Sequence, residues 1–242
     1  MEDMRQDNRQ IDGADRFIDS LIARAKQTDN RLGKIRQEIE YRWPEAVCDR
    51  EQFETQVYRS GIEPFDRLFP TGGIPYGQFI ELTGASGSGK TGLVLRLAAG
   101  MASHSAKVAY VDFCNCFFPL AAEYGGLEPA RVVIVKPDTL GAGLRATELL
   151  LKHREVAIAI CDLVGVTHEL PVTILHRLRR KTIRARGLVI FLTDHTSDIV
   201  PASMASLRLE VSRLQPSRVA VRVSKSRICR PGRRIEVPLE DD

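Results

Sequence analysis

Residues 84–91 read GASGSGKT, a glycine-rich octet closed by Lys-Thr. The spacing G-x-x-x-x-G-K-[ST] suits a loop that wraps phosphate. Gly84, Ser86, Gly87, Ser88 and Gly89 let successive backbone N–H groups converge on phosphate oxygens, and Lys90 reaches the terminal phosphates. The Thr91 hydroxyl is of the kind that coordinates Mg²⁺, while the N-terminus of a following helix adds its dipole. Such a loop needs a strand before it and a helix after it, and FIELT and TGLVLRLAAGMA supply them. Its companion is an aspartate at the tip of a buried strand, which holds the Mg²⁺ water shell. Asp162, directly after VAIAIC, has that position. The set points to ATP with Mg²⁺.

Cys114 and Cys116, within VAYVDFCNCFFP (108–119), raise a second chemistry. They form a small metal or redox site, or they occupy a place where another catalytic group would stand. Two thiols with no third or fourth ligand close in sequence make poor zinc ligation. His153, His168, His176 and His195 are dispersed, and none pairs with a cysteine at a ligand spacing. Charge is the remaining signal. The net charge is only +4, but Arg177, Arg180, Lys181 and Arg184 recur at helical spacing, and eight more cations crowd 213–234. The stripe is either a DNA contact or a solvated helix face.

Alternating strands and helices must position these groups. Strands are expected at 78–83, 107–112, 131–135, 156–161 and 187–193, with helices at 89–102, 119–126, 141–153 and 171–185. That alternation predicts an α/β fold with a mostly parallel central sheet covered by helices. Residues 206–213, 218–224 and 233–238 alternate in period two without intervening helices, which predicts antiparallel C-terminal edge strands. Apolar residues at three- and four-residue intervals across 14–43 predict an N-terminal helical arm that Pro44 ends. The division expected is 1–52 for arm and connector and 53–242 for the core. At 43% apolar and 27% charged, with no long apolar run and no export signal, the chain is expected to be cytoplasmic and not membrane-bound. Five cysteines without framework spacing fit reduced thiols.

The stretch GIEPFDRLFPTGGIPYGQFIELTGASGSGKT (61–91) resembles the entry phrase of RecA-type recombinase ATPases, and the similarity runs through 60–238. The resemblance implies a RecA-like P-loop core. It also places Cys114 where the family keeps the glutamate that orients the attacking water, so Asp112 or Glu123 would have to substitute. The adenine-stacking tyrosine falls at Ala121, with Phe118 as a substitute surface, and the γ-phosphate-sensing glutamine falls at Asp194. The two DNA-binding loops shrink to 163–171 and 195–203. Lys225 and Arg227 resemble the basic pair that such subunits insert into a neighbour's nucleotide site.

A compact RecA relative with a helical arm, short loops and an eroded catalytic position is similar to the ImuA family. That likeness implies an accessory protein of the bacterial DNA-damage (SOS) response, acting in translesion synthesis and induced mutagenesis. Its implied partners are RecA, a Y-family polymerase relative and an error-prone replicative-type polymerase, with self-association and weak DNA binding as further expectations. ATP would be bound and hydrolysed weakly or not at all. The alternative is an active DNA-dependent ATPase of the recombinase type.

Overall fold

The computed structural model describes residues 31, 34, 56–102, 106–153, 156–194 and 199–239. The chain divides into two units, Met1–Gln52 and Phe53–Asp242. Of the first, only Arg31 and Lys34 are described, both helical, so the expected arm and connector lie almost wholly outside the described residues.

The second unit is built on an eight-stranded sheet. In chain order its strands are β3 (Gln78–Gly84), β4 (Lys107–Asp112), β5 (Val132–Val135), β6 (Val156–Asp162), β7 (Leu188–Asp194), β8 (Leu207–Gln215), β9 (Arg218–Ser226) and β10 (Arg234–Pro238). Two short strands, β1 (Val57–Tyr58) and β2 (Ile74–Pro75), pair separately, and helix α1 (Glu63–Asp66) lies between them. The spatial order is β10-β9-β8-β3-β7-β6-β4-β5. From β8 to β5 every pairing is parallel; β8-β9 and β9-β10 are antiparallel. The expected parallel core with antiparallel edge strands is therefore present. One detail differs: β8 runs parallel to β3, because the chain crosses from β7 to the far side of β3 before the final hairpins begin.

Strand parity decides the two layers. Ile80, Leu82, Val108, Tyr110, Ile158, Ile160, Ile190 and Leu192 point to one face, where Leu93, Leu97 and Met101 of α2 (Lys90–Met101) cover them. Phe79, Ala109, Val111, Ala159, Cys161, Val189 and Phe191 point to the other. There they meet Leu144 and Leu151 of α4 (Leu140–Lys152) and Leu175 and Leu178 of α5 (Val172–Ala185). Side chains on alternate faces of a doubly covered sheet are both buried, which is why these strands read as continuous apolar runs. Phe79 and Phe191 meet edge to face at 5.4 Å on the α4/α5 side.

Helix ends follow local chemistry. Thr139 caps α4 by accepting the Ala142 N–H at 3.2 Å. Helix α5 ends at Arg186 in a left-handed conformation, and the Gly187 N–H returns to the Thr182 carbonyl. Helix α3 (Leu120–Tyr124) is shorter than the 119–126 expected, since it stops against Gly125-Gly126.

Candidate nucleotide site

Strand β3 delivers Gly84 to the C-terminal edge of the sheet, and α2 starts six residues later at Lys90. A Cβ on Gly84 would lie 2.4 Å from the Val211 carbonyl of β8 and 2.8 Å from Ser88 Oγ, so only glycine fits there. Gly87 and Gly89 hold φ of 73° and 89°, the left-handed region that turns consecutive N–H groups toward one point. Lys90 is buried, and its ammonium donates to the carbonyls of Gly84 at 2.6 Å and Ala85 at 3.0 Å. Burial lowers its pKa, opposed by the nearby charges of Asp194 and Asp162. From β8, Arg213 Nε donates to the Gly87 carbonyl at 2.8 Å and its Nη1 to Pro216 at 2.5 Å, tying the loop to the neighbouring strand.

Strands β4 and β6 form the opposite wall. Asp162 is buried, which raises its pKa; hydrogen bonds from Tyr110 and the Val164 N–H oppose the rise. Tyr110 Oη donates to Asp162 Oδ2 at 2.5 Å, and the ring stacks on Phe117 at 4.0 Å. Asp112, one residue beyond the buried apolar run of β4, accepts the N–H groups of Cys116 at 3.1 Å and Phe117 at 2.9 Å. Its carboxylate thus shapes the turn that carries the cysteines. Cys114 donates its thiol proton to the Val164 carbonyl, and burial, then the charge of Asp162, push its pKa up to about 11. Between the two walls lies an open cavity of about 710 Å³, lined by Lys90, Thr91 and Asp162 together with Phe118 and Ala121.

The residues present fit a nucleoside triphosphate with Mg²⁺. The glycine turns aim donors into the cavity, and buried Ser88 Oγ has no hydrogen-bond partner. The Lys90 ammonium donates to two neutral carbonyls that phosphate oxygens could replace. When bound, the cation would neutralise phosphate charge; Thr91 and Asp162 are the residues to hold it.

Residues 29–171 match the model of the RecA N-terminal domain. The chain belongs to the RecA N-terminal domain family. It is 24% identical to protein RecA of Lactiplantibacillus pentosus, over 90% of this chain and 68% of that protein. Against protein RecA of Zymomonas mobilis the identity is 30%, over 48% of this chain and 33% of that protein. A crystal structure of the RadB recombinase superposes with a TM-score of 0.60 at 20% identity, covering 75% of this chain and 95% of that one. The RadB likeness bears on the fold.

Within this RecA-family core, Ser86 to Thr91, Asp162 and Cys114 line one cavity, and Gly84 lies directly beneath the loop. The two substitute carboxylates do not join them as free groups. Asp112 is buried and engaged with backbone N–H groups. Glu123 lines a separate cleft with Ser60, Arg96 and Gly100. Asp194 accepts the Gly165 N–H at 2.9 Å, and this bond joins the loop after β6 to the end of β7. Of the second shortened loop, 195–198 lie outside the described residues.

The basic groups separate. Lys225 pairs with Arg208 across β9-β8, and Arg208 with Glu81 of β3, three residues before Gly84. That register sets Lys225 and Arg227 back from the chain's own phosphate loop. Lys225 donates to the Ala202 carbonyl and Arg227 to Ser203 at 2.9 Å. The α5 stripe is not a uniform free face: Arg177 pairs with Glu148 of α4 at 2.6 Å, while Arg180 and Arg184 are exposed and Lys181 half-buried. Arg179, outside the stripe, reaches the Met204 carbonyl at 2.8 Å.

Tyr110, Phe117 and Arg213 line the cavity without having been singled out from sequence. Parity could have marked Tyr110, which shares a strand face with Asp112 two residues on. Nothing local marks Arg213, one of many tail cations until β8 sets it beside the loop. Among the described residues no three His, Cys, Asp or Glu side chains gather as a metal cluster, and no helix is long and apolar enough to cross a membrane.

Proposed function

We propose that this RecA-family chain is an ImuA-type accessory protein of the bacterial DNA-damage response. In this role it binds ATP and Mg²⁺ through 84–91 and Asp162, hydrolyses ATP slowly or not at all, and acts in translesion synthesis and induced mutagenesis. Its partners are RecA and a complex of a Y-family polymerase relative with an error-prone replicative-type polymerase. The arm and connector (1–52) contribute apolar contacts, and Lys225 and Arg227 approach a neighbouring subunit's nucleotide.

Cys114 is the observation that carries the proposal. Its thiol faces the phosphate cavity as a hydrogen-bond donor with a pKa raised to about 11. A protonated thiol cannot take a proton from an attacking water as a carboxylate can. Among the described residues lining that cavity, Asp162 is the one carboxylate, and its role is at the cation. The second reading is an active DNA-dependent ATPase of the recombinase type, favoured by the complete phosphate loop and by membership of the RecA family.

Steady-state ATP turnover separates the two, measured for wild type, Lys90→Ala and Cys114→Glu with and without single-stranded DNA. Turnover well below about one per second in wild type, rising in Cys114→Glu, is expected. Wild-type turnover near that rate, stimulated by DNA and abolished in Lys90→Ala, would establish the second reading instead.

A further inference from the structure

We infer that Tyr110 is the positioning residue for the Mg²⁺ half of the site: its hydroxyl holds Asp162 Oδ2 and sets how that carboxylate presents oxygen to the cation. This rests on the nucleotide-binding role proposed above.

Tyr110 is fully buried in β4, and its ring is fixed by the stack on Phe117, with 29° between the planes. Phe117 is itself anchored by the N–H bond to Asp112. The phenol oxygen therefore has little freedom. It donates to Asp162 Oδ2 at 2.5 Å, while the Val164 N–H reaches Oδ1 at 3.2 Å.

Asp162, gripped at both oxygens, keeps a single orientation, and each oxygen retains acceptor capacity for a metal-bound water. One phenol oxygen on β4 thus orders the cation-facing carboxylate at the end of β6. Removing an outer-shell partner of this kind changes metal affinity by about 10–100-fold.

Tyr110→Phe keeps the ring and its stack and deletes only the oxygen. The test is binding of a fluorescent ATP analogue by the full-length wild type and Tyr110→Phe, titrated with MgCl₂ and repeated in excess EDTA. The quantity read is the ratio of affinities with and without Mg²⁺. It should fall about tenfold or more in Tyr110→Phe, with the Mg²⁺ midpoint rising in step. A purely structural role would weaken both affinities together; an unchanged ratio overturns the inference and leaves the nucleotide site standing. Lys90→Ala, which removes the phosphate contact, identifies the signal as coming from this loop. If wild type binds no analogue at any Mg²⁺ concentration, the nucleotide-binding role fails and the inference with it.

Discussion

Cys114 holds its proton on the Val164 carbonyl among the charges of Asp162, Asp112 and Asp194, so every neighbour that matters disfavours the thiolate. The pKa rises from an ordinary 9.0 to about 11. The folded state thus binds this proton more tightly than the unfolded state. The resulting stabilisation is complete below the ordinary thiol pKa and is lost as pH climbs toward 11. Maleimide labelling of a Cys116→Ser variant, with the Cys114 peptide followed by mass spectrometry, should accelerate only as pH approaches 11. A labelling midpoint near pH 8.5, about that of a free cysteine, would show that the sulfur is not held as described. Residue identity was legible here, since Cys114 could be read as out of place from the sequence; the bond that keeps it protonated could not. Val164 belongs to a different strand's loop, and no spacing rule joins it to Cys114.

At the scale of elements, β8 does more than extend the sheet. Arg208 Nε pairs with buried Glu81 of β3 at 2.7 Å, and Thr193 of β7 donates to the other Glu81 oxygen at 3.0 Å. Three adjacent strands are therefore joined through one carboxylate beneath the phosphate loop. Arg208 also reaches the Val200 carbonyl, and Arg179, Lys225 and Arg227 bind the carbonyls of Met204, Ala202 and Ser203. Four cations from α5, β8 and the end of β9 thus hold the segment that follows β7. Replacing one partner of a buried pair strands the other charge, so Arg208→Met should cost about 3 kcal/mol in urea unfolding. The companion Glu81→Gln/Arg208→Met should recover much of that loss. A single-variant cost under about 0.5 kcal/mol would mean the pair is not structural, because exposed pairs contribute little. The eight strands of the main sheet were readable to within two residues, because each carries an apolar run or a period-two pattern, whereas the two-residue strands β1 and β2 were not expected. Their spatial order was not, because neighbours such as β3 and β8 are distant in the chain.

At the scale of the whole molecule, the fold separates its own phosphate loop from Lys225 and Arg227, which lie back along the sheet at the level of Glu81. That separation suits cations used on a neighbouring subunit rather than on the chain's own nucleotide. Under the accessory role proposed above, Lys225→Ala/Arg227→Ala should weaken association with RecA by about tenfold or more, and flatten its dependence on salt. Native-gel or light-scattering titrations of the full chain with RecA filaments measure this. Equal affinity and an equal salt slope in the variant would remove these cations from the interface. The same measurement on Arg180→Ala/Arg184→Ala serves as a comparison, because both side chains are exposed on α5.

The sequence by itself determined the phosphate loop, its flanking strand and helix, Asp162 at a strand tip, and the α/β alternation that makes a parallel sheet. These are local: glycine permissiveness, the strand and helix periods and the loop's own spacing are written within a few residues of one another. Tertiary structure alone decided that Tyr110 meets Asp162, that Arg213 grips the loop, and that Glu123 stands at another cleft. It also decided that Arg177 pairs with Glu148 instead of facing solvent freely. Each of those outcomes depends on which strands become neighbours and on side chains meeting across elements. Burial energy and register settle those meetings only once the whole sheet has formed.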